Sequence, residues 1–237
     1  SQLGTEGPMG RSVEDVARLL AVQAGWDARC PLSIACDGQA FNGHLNINLA
    51  GRRIGWLGDL NGYLPMEAGV LDACQNGLDR LQDMGCVVDN ATLPMAPERV
   101  WDCWLVWRRA LVATRIAPHL LQPANRDKIK PEALWEHDEG MVLTGSQLMA
   151  ASATRTALLQ QLLKLFEGVD YLALPSAQVW PFDVAQRWPA EIARRQMDTY
   201  HRWMEVVIYA TLAGLPSISV PAGFGAGGLP MGLQLIG

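Results

Sequence analysis

Lysine is nearly absent: Lys128, Lys130 and Lys164 are the three present in 237 residues. None follows a suitable glycine loop, so there is no Walker-type phosphate cradle. Charge is scarce too, at 18% of residues, where about 25% is usual for a soluble domain. That scarcity predicts an extensive interior, or surface meant for a neighbour. Net charge is −5 and no basic tract exists, which argues against a nucleic-acid partner. The longest apolar run, 206–215, falls short of the roughly 20 residues that cross a bilayer. The first residues lack the charged-then-apolar order of a signal peptide. A cytoplasmic protein without membrane contact is expected.

No CxxC joins Cys30, Cys36, Cys74, Cys86 and Cys103, and their number is odd. The expectation is reduced, mostly buried thiols, with no disulfide and no zinc. His44, His119, His137 and His201 stand far apart without an H-x-x-x-H, so no metal site is expected. There is no G-x-S-x-G nucleophile elbow. Gly223, Gly225 and Gly228 do fit G-x-G-x-x-G. A dinucleotide site would open a helix there, but Leu229-Pro230-Met231-Gly232 leads into another strand. A turn between two strands is the better reading, and no cofactor is expected.

The chain offers enough length for one large domain and its core. Ser12 and Asp15 form a capping pair ahead of the apolar series Val13, Val16, Ala17, Leu20 and Ala24. Residues 27–51 show no periodicity and read as a long loop. A strand at 53–57, a helix at 66–84 stopped by Gly85, and a strand at 86–88 predict a parallel β-α-β unit. Its loop, 59–65, joins a strand end to a helix start, where ligand sites often lie, though a plain connection also fits. A helix from Pro97 to Ala117 carries Trp101, Trp104 and Trp107 with Arg108 and Arg109. Either it lines a pocket or interface, or it packs on a core with its arginines in solvent. Glu136, His137, Asp138 and Glu139 suit a solvated helix face. A helix over 146–167, an apolar strand at 170–176, a helix over 198–212 and two buried strands at 217–220 and 233–236 complete the order.

Several of these words are specific. Gly7-Pro8-Met9 with Arg11-Ser12-Val13-Glu14-Asp15 resembles the GPM-x-R-[ST]-V-x-D segment of amidase signature hydrolases. The run LAGLPSISVPAGF and the closing GLPMGLQLIG resemble that family's C-terminal part, and Asp170 to Ser176 resembles its D-x-L-L-x-P-T strand. The resemblance implies an α/β fold, a mixed central sheet covered by helices within an α/β/α sandwich. It implies that residues 1–237 form the C-terminal part of a single amidase domain, cut at both ends. The implied chemistry is hydrolysis of the C–N bond of a small or aryl amide through a serine acyl-enzyme. The family's Ser–cis-Ser–Lys residues have no counterpart here, so no catalytic residue is assigned and the chain alone is expected to be inactive. The "S-S-N-L-x-R-Y-D-G" stretch of tRNA-dependent amidotransferase A subunits is also absent, which disfavours that subgroup.

In relatives, the helix before L-A-G-x-P and the loop after the D-x-L strand shape the acyl pocket. The resemblance therefore implies substrate-binding roles for Trp203, Val206 and Val207, with Ser176 and Trp180. The spacing of the first three suits one helix face, and it suits ordinary core packing equally. The rival reading is a non-enzymatic binding module, with the Trp101–Trp107 helix and the loop near Trp180 as its contact surface. Half of a large sheet leaves an edge and apolar surface exposed, so self-association is expected.

Overall fold

Five strands, β1 (Arg53–Trp56), β2 (Val87–Asn90), β3 (Tyr171–Pro175), β6 (Ser217–Phe224) and β7 (Pro230–Ile236), form one mixed sheet in the order β2-β1-β3-β7-β6. They are seen in a computed structural model that describes residues 3–237 except Thr5 and His44. One of the four histidines, His44, thus lies outside the described residues. A two-stranded hairpin, β4 (Glu191–Ile192) with β5 (Arg195–Gln196), stands apart from the sheet. The described residues divide into two units, one within Gly4–Leu49 and one of Ala50–Gly237 with Leu3.

The smaller unit holds helix α1 (Val13–Gln23) and a 3-10 turn at Gly38–Asn42 within the stretch read as loop. Ser12 Oγ accepts the Asp15 N–H at 3.1 Å, so Ser12 caps α1 as expected. Among its described residues only Ala21 and Gly38 are buried.

In the larger unit, β1 pairs in parallel with both β2 and β3. Helix α2 (Val70–Asp83) is the crossover from β1 to β2. It ends in a Schellman motif: the Cys86 N–H reaches the Leu81 carbonyl and the Gly85 N–H that of Gln82. Asp170 sets the β1–β3 register, because its carboxylate accepts from Arg52 Nη1 at 2.7 Å and from the Arg53 N–H at 2.8 Å. β7 runs antiparallel to β3 and to β6. Side chains alternate along β3. Leu172 and Leu174 join a buried cluster with α3 (Pro97–Leu120), α5 (Gly145–Phe166) and α6 (Ile208–Ala213), leaving Ala173 for the α2 side. The fold is therefore helix–sheet–helix, as the sequence implied. No helix among the described residues is long and apolar enough to cross a membrane.

Four expectations need correction. Helix α3 runs past Pro118 to Leu120, since a proline in the last turn removes one hydrogen bond without forcing an end. The segment 198–212 is not one helix. A 3-10 helix (Arg202–Val207) kinks at Met204, and α6 follows. Of the two closing strands only β7 is buried, because β6 is an edge with Ile218 and Phe224 exposed. Pro221, which has no N–H to donate, is suited to that edge. Finally, Glu136 is buried rather than solvated, and Arg108 and Arg109 pair with Glu136 and Glu139 instead of facing solvent. The turn reading of the glycines holds, with Gly225 and Gly228 closing the β6–β7 hairpin. Cys74, Cys86 and Cys103 are buried, Cys30 and Cys36 exposed, and no disulfide joins them among the described residues.

Candidate functional site

Parallel strands β1 and β3 end on the same side of the sheet, and their exit loops are bound together there. The Glu67 N–H donates to the Gln178 carbonyl at 2.8 Å, and Gln178 Nε2 donates to the Pro65 carbonyl at 3.1 Å. Trp180 is held by two donations, its N–H to Glu67 Oε2 at 2.8 Å and its Nε1–H to the Ala68 carbonyl at 2.9 Å. The indole lies so close to Gly225 that a Cβ there would meet it at 2.8 Å. The chain just beyond the 59–65 loop, at Glu67 and Ala68, thus forms one side of a bonded corner. Between Glu67, Val179, Trp180, Phe182, Glu191 and Ile192 it leaves a cleft of about 260 Å³.

The five residues singled out in the sequence do not share that cleft. Trp180 lines it. Trp203 meets Phe182, from the same loop as Trp180, in an edge-to-face pair with centroids 5.4 Å apart. Val206 is fully buried and Val207 is exposed, so the single helix face is split. A 3-10 helix repeats every three residues, which keeps Trp203 in line with Val206 and turns Val207 away. Ser176 directly follows β3, where its N–H donates to the Gly232 carbonyl at 2.9 Å and its Oγ is 2.6 Å from Ser219 Oγ. Gly232 runs beneath both hydroxyls, and a Cβ there would meet each at 2.7 Å.

Two buried glutamines organise this corner, and the sequence reading passed over both. Gln178 Oε1 accepts the Val206 N–H at 3.1 Å. Gln234 Nε2 donates to the Pro175 carbonyl at 2.9 Å and to the Val206 carbonyl at 3.0 Å. A polar residue inside the apolar alternation of β7 was the available signal.

Beneath the 3-10 helix lies a second polar group. Arg202 Nε is 3.1 Å from Glu205 Oε2, an i,i+3 pair that the 3-10 repeat stacks, and the Arg202 guanidinium lies 4.5 Å from the Trp101 ring centroid. Burial pushes the Glu205 carboxyl up to about 7, with Arg202 opposing. His201 is fully buried and stands edge-on to Trp101 and Trp104, which stack at 5.0 Å. Its Nδ1 is 2.8 Å from Thr199 Oγ1. Burial, with Arg108 and Arg109 adding repulsion, brings its pKa down to about 3, so the imidazole is neutral. With both indoles in the core, Trp101 and Trp104 offer no contact surface of the kind the binding-module reading requires.

No group of three or more His, Cys, Asp or Glu gathers as a metal site among the described residues. Lys128 ends a short 3-10 turn and Lys164 lies on the last turn of α5, and neither is a strand-end position.

Comparison with known proteins agrees over the whole chain. The family model described as Amidase matches residues 1–237. Among curated relatives, the A subunit of glutamyl-tRNA(Gln) amidotransferase from Rippkaea orientalis is 27% identical, covering 100% of this chain and 52% of its own length. Among solved structures, a bacterial aryl acylamidase of the amidase signature family superposes with a TM-score of 0.81 at 23% identity, covering 98% of this chain and 49% of its own. A 6-aminohexanoate cyclic dimer hydrolase gives 0.77 at 19%, covering 96% and 50%. The chain spans about half the length of the curated relatives it matches.

The glutamine contacts and the buried carboxyl can each be tested. Gln178→Leu keeps the volume but strands the buried Val206 N–H and Pro65 carbonyl, and is expected to lower stability by about 2–4 kcal/mol in urea unfolding; an unchanged midpoint refutes the role given to this amide. The second test concerns pH. Because its folded pKa is raised, Glu205 contributes stability that is full below its ordinary value of 4.5 and lost as pH rises through about 7. His201 works in the opposite direction, its contribution being present above 6.5 and lost as pH falls toward 3. Glu205→Gln removes only the first. Its stability relative to the parent should therefore rise between about pH 5 and about pH 8, and a difference that stays flat contradicts the buried carboxyl.

Proposed function

This chain belongs to the amidase family, and we propose that it forms the half of an amide hydrolase that supplies sheet strands and one wall of the acyl pocket. The parent enzyme cleaves the C–N bond of a small or aryl amide. A serine attacks the carbonyl, the amine leaves with a proton, and water releases the acid from the acyl-enzyme. The observation that carries this reading is the family match over all 237 residues. The nucleophile and its lysine lie outside these residues on this proposal, since no Gly/Ser-rich segment and no strand-end lysine occurs among them.

Ser176, Trp180, Trp203, Val206 and Val207 are proposed as the substrate-side residues. The support is positional. Trp180 borders the cleft, and the Phe182–Trp203 pair adds aromatic surface of the kind an aryl group packs against. Val206 sits behind them, held at both backbone groups, and fixes where the 3-10 helix presents Trp203 and Val207. The aryl acylamidase likeness favours an aryl amide. A second reading, the A subunit of an amidotransferase, is favoured by the curated relatives and opposed by the missing "S-S-N-L-x-R-Y-D-G" stretch.

The upstream coding sequence separates the enzyme from the non-enzymatic module. An in-frame Gly/Ser-rich segment with a preceding lysine motif supports the enzyme, and a start codon just before Ser1 supports the module. In assay, the purified 237-residue chain is expected to release no amine from simple amides or anilides. Turnover blocked by a serine-directed reagent overturns the assignment of the nucleophile to another segment.

The chain is also proposed to self-associate through β6, which pairs with β7 on one side only and exposes Ile218 and Phe224. Light scattering is expected to give a mass above 25.9 kDa; a clean monomer across concentrations rejects this.

A further inference from the structure

A second cleft, of about 350 Å³, lies between α4 (Pro131–Met141) and the segment from Arg187 to Tyr200. Three aromatic rings and two carboxylates line it: Trp135, Trp188 and Tyr200, with Glu132 and Asp198. Faces of indole and phenol rings attract cations, and carboxylates complete the charge match. Arg187 is the one basic residue in the lining. Its guanidinium lies 5.0 Å from the Trp188 ring centroid and donates to Glu132. The chain therefore already seats a guanidinium in this cleft.

The walls and the occupant differ in how firmly they are held. Tyr200 is anchored by its hydroxyl, which donates to the buried Glu136 and accepts from Arg108 Nη2 at 3.0 Å. Trp135 carries Arg109 against its ring at 5.3 Å, and Tyr200 meets Trp188 edge-to-face at 6.2 Å. The Glu132 side chain is only 14% exposed and sits in the first turn of α4, where a carboxylate is favoured by the helix dipole. The Arg187 side chain, by contrast, is 60% exposed and lies on chain without helix or strand. Asp198 is 65% exposed and keeps only a 3.9 Å contact to Arg202.

We infer that this cleft is a binding site for a small organic cation of the guanidinium class, with Arg187 as a tethered occupant that the ligand displaces. The ligand stacks on Trp188 in place of Arg187, pairs with Glu132, and directs its alkyl part toward Trp135 and Tyr200. Asp198 faces the open side and adds negative charge. The inference stands apart from the amide-hydrolase reading, since it uses none of the residues proposed for that chemistry.

Calorimetric titration of the 237-residue chain with n-butylguanidinium tests it. The parent chain is expected to bind weakly and saturably, and the neutral isostere n-butylurea not at all. Arg187→Ala removes a competitor whose tether gives it a millimolar effective concentration, and is expected to tighten binding by about tenfold. Adding Glu132→Gln to that variant is expected to weaken it by about tenfold. Arg187→Lys, which keeps a tethered cation, should stay close to the parent. Circular dichroism checks that each variant is folded, and Arg187→Gln replaces Arg187→Ala if that variant is not. The site is overturned if the Arg187 variant binds no more tightly than the parent, if butylurea binds equally well, or if Glu132→Gln changes nothing.

Discussion

Both backbone polar groups of Val206 are satisfied by glutamine side chains, its N–H by Gln178 and its carbonyl by Gln234. In an uninterrupted helix each would bond along the helix itself. Here they are taken sideways, by a loop after β3 and by the middle of β7. That exchange explains the kink. The segment winds as a 3-10 helix through Val207 and becomes an α-helix only beyond the glutamine pair. A buried amide left without its partner is costly. The sheet, the β3 exit and the 3-10 helix are therefore fixed relative to one another by these few bonds more than by apolar contact, which is non-directional.

Once the 3-10 helix is set, the polar groups below it have little freedom. A repeat of three places Glu205 over Arg202, and Arg202 against Trp101. The next residue toward the N-terminus, His201, is set edge-on against the stacked Trp101 and Trp104 rings and is held neutral there. Arg108 then runs from the same α3 face to Glu136 and Tyr200. The result is a layer of rings and guanidiniums between α3, α4 and the 3-10 helix. Each buried carboxylate in it has an arginine, as burial of charge requires.

Much of the framework was legible in the sequence because it rests on local signals. The β-α-β unit, the glycine stop after α2 and the glycine turn between β6 and β7 each follow from residues near one another in the chain. The failures share a different cause. Glu136 and Arg108 read as solvent-facing because charged residues usually are, yet they pair with each other across 28 positions and Glu136 is buried. The 198–212 segment reads as one helix because its own residues favour it, and the interruption comes from Gln178 and Gln234. The burial of β6 was misjudged because a run such as SISVPAGF is equally apolar at an edge or in the middle of a sheet, and only strand order decides. The substrate-side residues were placed by resemblance alone. Periodicity could not group them, because Ser176 follows β3 while Val206 belongs to the 3-10 helix, and β7 meets the first through Gly232 and the second through Gln234.

The same constraint bears on how the proposed acyl pocket is divided. Trp180 is immobilised by Glu67, Ala68 and the hairpin turn at Gly225, all within this chain. Trp203 is positioned through Phe182 and the glutamine-held helix, again within this chain. A pocket wall whose side chains are locked by their own supporting shell needs nothing further to hold its shape. A nucleophile is different, since its reactivity depends on a base and oxyanion donors set within a few tenths of an ångström. Shape can thus reside in one half of a domain while reactivity resides in another. On the proposed division, the bonds that hold Val206 and Trp180 would serve the first without requiring any of the second.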